Sequence, residues 1–254
     1  MAQRKATLGS HWMSVTDVLG RLQQARDNRQ AQQRLLTSLD QRLGQRRTEL
    51  ERSLADLPQH ERTNIINRTV SGTRGELKRS SADTRTAHVR QAGKIHSEVV
   101  GAKALYGSSV QMLARHGLGS ERRSRILEQI ADSGPAELAG LAELAAATRD
   151  IELGAALCSK VAKLLPSERP FNAHDLADVL IGEEHRKVTG AIMEIERLVE
   201  EALHEDSAFE RNGRSPVRTL EIAKMKEAEA ELGADLSLAE ADADLDPDTE
   251  QAAA

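Results

Sequence analysis

Apolar side chains recur every seven residues along the first part of the chain. One column of this repeat holds Val15, Leu22, Leu36, Leu43, Leu50 and Leu57, and a second column holds Val18, Ala25 and Leu39. A seven-residue period keeps an apolar seam on one side of an α-helix and drives left-handed supercoiling with another helix. The pattern therefore predicts a long, partly coiled-coil helix over residues 13–58, which ends near Pro58 because proline disfavours helix at the preceding residue.

Polar residues interrupt this seam, at Arg29, Gln32, Arg46 and Ser53. Polar seam residues weaken a coiled coil but can fix its register or its choice of partner. Two interpretations stay open: the helix packs along the rest of its own chain, or it joins a second copy or a partner helix. The candidate self-association residues are Val15, Leu22, Leu36, Leu39, Leu43, Leu50 and Leu57.

The remaining chain is predicted to form further helices separated by breaks. Residues 59–120 predict a hinge at the SGTRG stretch, around Gly72 and Gly75, followed by a long basic helix to about His116. Residues 121–210 predict a helical bundle region, whose main helix begins near Glu183 after a shorter one ending at Ile181. Residues 211–232 predict one more exposed helix.

Within the bundle region, residues 136–165 predict an antiparallel helix pair around a turn at 148–150. The alternation of large and small residues resembles a single tetratricopeptide unit, and Cys158 stands at its usual aromatic position. No second unit follows at the roughly 34-residue period of a stacked array, so we interpret the segment as a simple helix pair. A chaperone-like adaptor built on this pair is one functional hypothesis. The matching residues are Leu138, Leu141, Ala142, Ala145, Gly154, Val161 and Pro166.

The two ends of the chain are polar. Residues 1–12 read MAQRKATLGSHW and are treated as a flexible leader, in which Arg4 and Lys5 offer positive charge to an acidic surface. Residues 233–254 are acidic, rich in alanine and free of aromatic residues, which predicts a disordered acidic C-terminal tail.

Composition favours an all-α fold of thin helical packing. Aromatic residues make up 2 % of the chain and charged residues 30 %, whereas aromatic side chains usually dominate thick cores and cofactor pockets. The single cysteine excludes an intrachain disulfide, and no stretch approaches the roughly 18 apolar residues of a membrane span. We expect a cytoplasmic bacterial protein or a virion protein.

Charge is divided unevenly along the chain. Residues 1–130 carry 23 basic and 12 acidic side chains, a net +11, and residues 131–254 carry 12 and 28, a net −16. Basic side chains along a helix can contact phosphates, lie along acidic protein surfaces, or simply face solvent, and all three interpretations stay open. The candidate polyanion contacts are Arg42, Arg46, Arg47, Arg74, Lys78, Arg79, Arg85 and Arg90.

Motifs for catalysis, metal ligation or cofactor binding are not found in the sequence. Glu201 and His204 have the Glu-x-x-His spacing of di-iron bundles, but those sites need a second such pair from another helix. Cys158 lies in an apolar helical stretch, where a buried thiol acts as a small hydrophobe. We therefore expect no enzyme, no metal site and no cofactor.

These features together predict a non-enzymatic helical assembly protein that forms homo-oligomers or binds partner helices in a larger complex. Arginine outnumbers lysine 26 to 9, which is typical of GC-rich bacteria and their phages. With few aromatics and split charge, this composition favours a bacteriophage scaffold, internal-core or portal-associated protein. The alternative hypothesis is a nucleic-acid-associated protein that uses the basic N-terminal half.

Overall fold

The computed structural model describes residues 13–213 and 215–243, with side chains described as far as Asp235. Across these residues the chain forms eight α-helices, one 3-10 helix at Pro166–Glu168 and no strand, so the all-α prediction is confirmed. None of the described helices is long and apolar enough to cross a lipid bilayer. The helices are α1 (Val15–Ser53), α2 (Gln59–Lys103), α3 (Ser109–Arg115), α4 (Glu121–Gln129), α5 (Pro135–Thr148), α6 (Ile151–Val161), α7 (Ala173–Arg211) and α8 (Pro216–Ala243).

The chain divides into two compact units. The first unit contains residues 13–18, 100–192 and 229–243 of the described chain. The second unit contains residues 19–99 and 193–228 except position 214. The first unit therefore holds α3 to α6, and the second unit holds most of α1 and α2 with the C-terminal half of α7.

The helix pair predicted at residues 136–165 lies in the first unit as α5 and α6. Arg149 adopts a left-handed conformation at the end of α5, and the Asp150 carboxylate accepts a hydrogen bond from the Leu153 amide at 3.1 Å, which caps α6. A Cβ atom at Gly154 would lie 2.1 Å from Leu180 Cδ1, so a larger residue there would require the Leu180 side chain on α7 to move. The core of the pair consists of Leu138, Ala142, Ala145, Ala155, Ala156, Leu157, Cys158 and Val161.

In the second unit, α1 and α2 run antiparallel. Arg21 Nε lies 2.8 Å from Glu98 Oε2, and the Asn28 side-chain amide donates to the His88 carbonyl at 3.0 Å. Later residues of α1 therefore lie beside earlier residues of α2, and Leu77 packs on the cluster that contains Leu36.

The C-terminal half of α7 runs parallel to α1. Arg26 of α1 binds Glu194 through two hydrogen bonds of 2.7 and 2.6 Å. Farther along both helices, Leu39 packs against Phe209. α7 ends two residues later, at Arg211, and α8 then returns along it, placing Thr219 Oγ1 3.3 Å from His204 Nε2.

The structure differs from the sequence-based expectation at two breaks. α2 continues without interruption through Gly72 and Gly75, where the sequence predicted a hinge. A glycine inside a helix costs only about 1 kcal/mol relative to alanine, which helix on both sides outweighs. α7 likewise passes through Gly182 as one helix, although two were expected.

Two helices also end at residues other than those predicted. The long basic helix stops at Lys103 rather than near His116, and α3 begins separately after Ser108, whose hydroxyl accepts from the Gln111 amide at 3.2 Å. α8 extends to Ala243, so residues 233–243 of the predicted disordered tail are helical. Residues 244–254 and the leader 1–12 lie outside the described residues.

Candidate association surface

The predicted self-association residues divide into two groups. Leu22, Leu36, Leu39 and Leu43 are buried within the chain, and Leu36 and Leu39 form one buried cluster with Phe209 of α7. The other three, Val15, Leu50 and Leu57, are only half-buried. Both groups occupy equivalent positions in the seven-residue repeat, but the rest of the chain buries only the first group.

The half-buried residues Leu50 and Leu57 lie where α1 and α2 extend past the end of α7. From Leu39, which is level with Phe209, α1 continues to Ser53, about 20 Å at 1.5 Å per residue. No residue from 44 to 65 is buried. We call residues 44–73 the projecting end.

The projecting end carries apolar side chains that its two helices do not fully cover. Leu50, Leu54, Leu57 and Val70 are half-buried, and Ile65 is 41 % exposed. Ile66 is the exception in this segment, because it is buried at 6 % exposure. A pair of helices with a thin apolar interface gains stability when a further helix covers that face.

The polar seam residues have partners inside the chain. Gln32 is fully buried, and its side-chain amide donates to the Ala202 carbonyl of α7 at 2.9 Å. Arg29 Nε lies 3.5 Å from Glu201 Oε2, also on α7. These two interruptions of the repeat are thus among the contacts between α1 and α7.

Arg85, a candidate polyanion contact, is the most deeply buried of the described arginines in the second unit. It is 3 % exposed, pairs with Asp206 at 2.7 Å and with Glu210, and stacks over Phe209 with its guanidinium carbon 5.0 Å from the ring centroid. Lys78 donates from Nζ to the Glu210 carbonyl at 2.5 Å. The positive charges of Arg85 and Lys78 therefore meet the acidic half of the same chain.

The other candidate polyanion contacts are more accessible. Arg74 is half-buried and lies over Phe209 at 5.8 Å. Arg46 and Arg47 are exposed and pair with Glu49 and Glu51 on their own helix at 3.3 and 3.0 Å. Such exposed pairs contribute little to stability. The remaining candidates, Arg42, Arg79 and Arg90, are exposed.

Glu201 of α7 lies among three basic side chains, which its Glu-x-x-His spacing did not predict. Its carboxylate lies 2.9 Å from Arg197 Nη1 and 3.1 Å from Lys226 Nζ, in addition to the Arg29 contact. Burial raises the pKa of Glu201, but the Lys226 hydrogen bond and the charges of Arg197, Lys226 and Arg29 outweigh burial and hold this pKa below its usual range. The spacing of Arg197 and Glu201 on α7 was the available signal, although it did not reveal Lys226.

The two candidate side chains for chemistry, Cys158 and His204, are both buried. Cys158 is 1 % exposed, and burial raises the pKa of its thiol to about 11, so the thiol stays protonated at neutral pH. His204 is buried beside Thr219. Among residues 13–213 and 215–243, no group of three or more potential metal-ligating side chains comes together.

Comparison of the chain with known protein families, with curated proteins and with solved structures returned no match.

Proposed function

We propose that this chain is a non-enzymatic helical assembly protein that self-associates through the projecting end, residues 44–73. The observation that carries this proposal is that the apolar residues Leu50, Leu54 and Ile65, beyond the end of α7, are not buried within the chain. On the compositional grounds of an arginine-rich, aromatic-poor chain, the assembly that we propose is a bacteriophage virion or its precursor.

The projecting ends of two copies can bury each other's apolar side chains. A hairpin of two helices that meets a second copy about a two-fold axis forms a four-helix arrangement, in which each copy covers the apolar face of the other. Within the projecting end, the salt bridges of Arg46 and Arg47 stay within α1. Those pairs lie on the helix surface and leave Leu50 and Leu54 available as contacts.

The test is the oligomeric state of a double variant, Leu50→Ser with Leu54→Ser. Both side chains are half-buried at most, so the variant keeps the buried cluster of Leu36, Leu39 and Phe209. We expect the wild-type chain to associate at micromolar concentration and the variant to sediment as a monomer with unchanged helical circular dichroism.

The matched control is Leu220→Ser, which removes a 58 % exposed leucine from α8. We expect this control to associate like the wild type. A wild-type chain that stays monomeric across the micromolar range, or a double variant that associates as strongly as the wild type, would refute association through the projecting end.

A further inference from the structure

A surface cavity of about 500 Å³ lies between α1, α7 and α8, within the second unit. Its wall has one cationic side chain from each of these helices, namely Arg29, Arg197 and Lys226. Two carboxylates of α7, those of Glu201 and Glu205, also line it. With histidine taken as neutral, the wall therefore carries one more positive than negative charge.

The Glu201 carboxylate is shared among the three cations. Its Oε1 atom lies 2.9 Å from Arg197 Nη1 and 3.1 Å from Lys226 Nζ. Its Oε2 atom lies 3.5 Å from Arg29 Nε, which is longer than the roughly 2.7–2.9 Å of a charge-assisted hydrogen bond. Two cations thus hold one oxygen of Glu201, and Arg29 has only a loose contact with the other.

Arg29 contributes donors that the chain does not satisfy. Its side chain is 13 % exposed, and its Nε and Nη1 atoms are buried with no hydrogen-bond partner among the described residues. Buried donors of folded proteins nearly always have a partner, and a buried charge without one is strongly destabilising. The unsatisfied donors and the excess positive charge both favour an anion. We propose that this cavity binds a phosphate group between Arg29, Arg197 and Lys226.

Phosphate suits this wall chemically. Its oxygens accept charge-assisted hydrogen bonds from guanidinium and ammonium groups, and the side-chain amide of Gln33 adds a further donor. One water needs roughly 10–15 Å³ of such space, so a phosphate ion fills only part of the cavity. The apolar wall residues Ile222 and Ala223 leave room for the organic part of a phosphate monoester.

Calorimetric titration of the full-length chain with sodium phosphate tests the site, at neutral pH and at an ionic strength held constant with sodium chloride. We expect saturable binding of one phosphate per chain. A titration that does not saturate, or that gives no more heat than one with chloride, would overturn the proposal. Glycerol phosphate is the second probe: tighter binding than inorganic phosphate identifies a monoester as the ligand, and equal or weaker binding identifies the free ion.

Two wall variants should shift the affinity in opposite directions. Lys226→Gln removes a cation whose side chain is 58 % exposed, so the fold should persist while phosphate binding weakens by about fivefold or more. Glu201→Gln removes a negative charge from the wall and should tighten phosphate binding, even though it loses contacts with the three cations. A merely structural role of these residues would not produce opposite shifts.

The matched control is Lys224→Gln, the same charge change at an exposed position of α8 that does not line the cavity. Its affinity for phosphate should equal that of the wild type. Equal weakening by Lys224→Gln and Lys226→Gln would show a general effect of surface charge and refute the site, as would weaker binding by a folded Glu201→Gln variant. If Glu201→Gln loses its helical circular dichroism, the comparison of the two lysine variants decides. None of these residues belongs to the projecting end, so the result is independent of self-association.

Discussion

The covered part of the α1–α2 pair, residues 19–43 and 74–99, and the projecting end, residues 44–73, share one apolar repeat but differ in what lies against it. In the covered part, α7 contributes Phe209 to the leucine cluster, accepts the Gln32 hydrogen bond and pairs its carboxylates with arginines. In the projecting end, the same column leaves Leu50 half-buried. A column of apolar residues at seven-residue spacing thus identifies a helix face that needs a partner. The length of α7 determines how far along α1 the same chain provides that partner.

Truncation of one leucine in each part gives the largest expected difference. Leu39 is buried on Phe209, so Leu39→Ala should lower the free energy of unfolding by about 2–5 kcal/mol through lost burial and a cavity. Leu50→Ala should cost less than about 1.5 kcal/mol in the monomer, because part of the side chain already faces solvent. Chemical denaturation measures both values.

Protein concentration separates the two leucines further. Association adds stability that depends on concentration, so the cost of Leu50→Ala should grow as the chain is concentrated, while the cost of Leu39→Ala should not change. Equal losses for both variants at low concentration would contradict the division of the pair into a covered part and a projecting end.

Much of this fold was predictable from local pattern. The seven-residue column predicted α1, and the alternation of large and small residues around a turn at 148–150 predicted α5 and α6. The glycines at 72 and 75 do not interrupt α2, because the helical penalty of a glycine is small beside the helical residues on both sides. Local sequence therefore predicts where helices form better than where they end.

The candidate surface was less predictable, because it depends on a helix far along the chain. The sequence around Leu39 and Leu50 does not show that Phe209 packs near Leu39 and not near Leu50. Likewise, Arg85 and Arg79 look alike in sequence, yet Arg85 is buried against Asp206 and Arg79 is exposed. Only the pairing of helices distant in sequence separates these residues.

Glu201→Gln tests the ion pairs of the covered part and should have an intermediate effect. Three cations surround this carboxylate, so removing its charge should lower the free energy of unfolding at neutral pH by about 1–3 kcal/mol. Since the folded-state pKa of Glu201 is lowered, its stabilising contribution is present above the unfolded-state pKa and is lost as pH falls through the folded-state value. Chemical denaturation at several pH values should therefore show the wild type and the variant converging below about pH 4.

The matched control is Glu51→Gln in the projecting end, whose exposed pair with Arg47 should contribute no more than about 0.5 kcal/mol. A difference between the wild type and Glu201→Gln that stays constant down to acid pH would show that lost packing rather than charge explains the effect.

The smallest expected effect concerns the glycine in the projecting end. Gly72 is an exposed helical residue, and a Cβ atom there would meet nothing within 4 Å. Gly72→Ala should therefore raise the free energy of unfolding by about 0.5–1 kcal/mol, because alanine loses less backbone entropy in a helix. Gly93→Ala, an equally open helical position in the covered part, should give the same gain in chemical denaturation. If Gly93→Ala stabilises the chain while Gly72→Ala destabilises it, α2 bends at Gly72 within the projecting end. A partner would then contact two helical segments rather than one continuous helix.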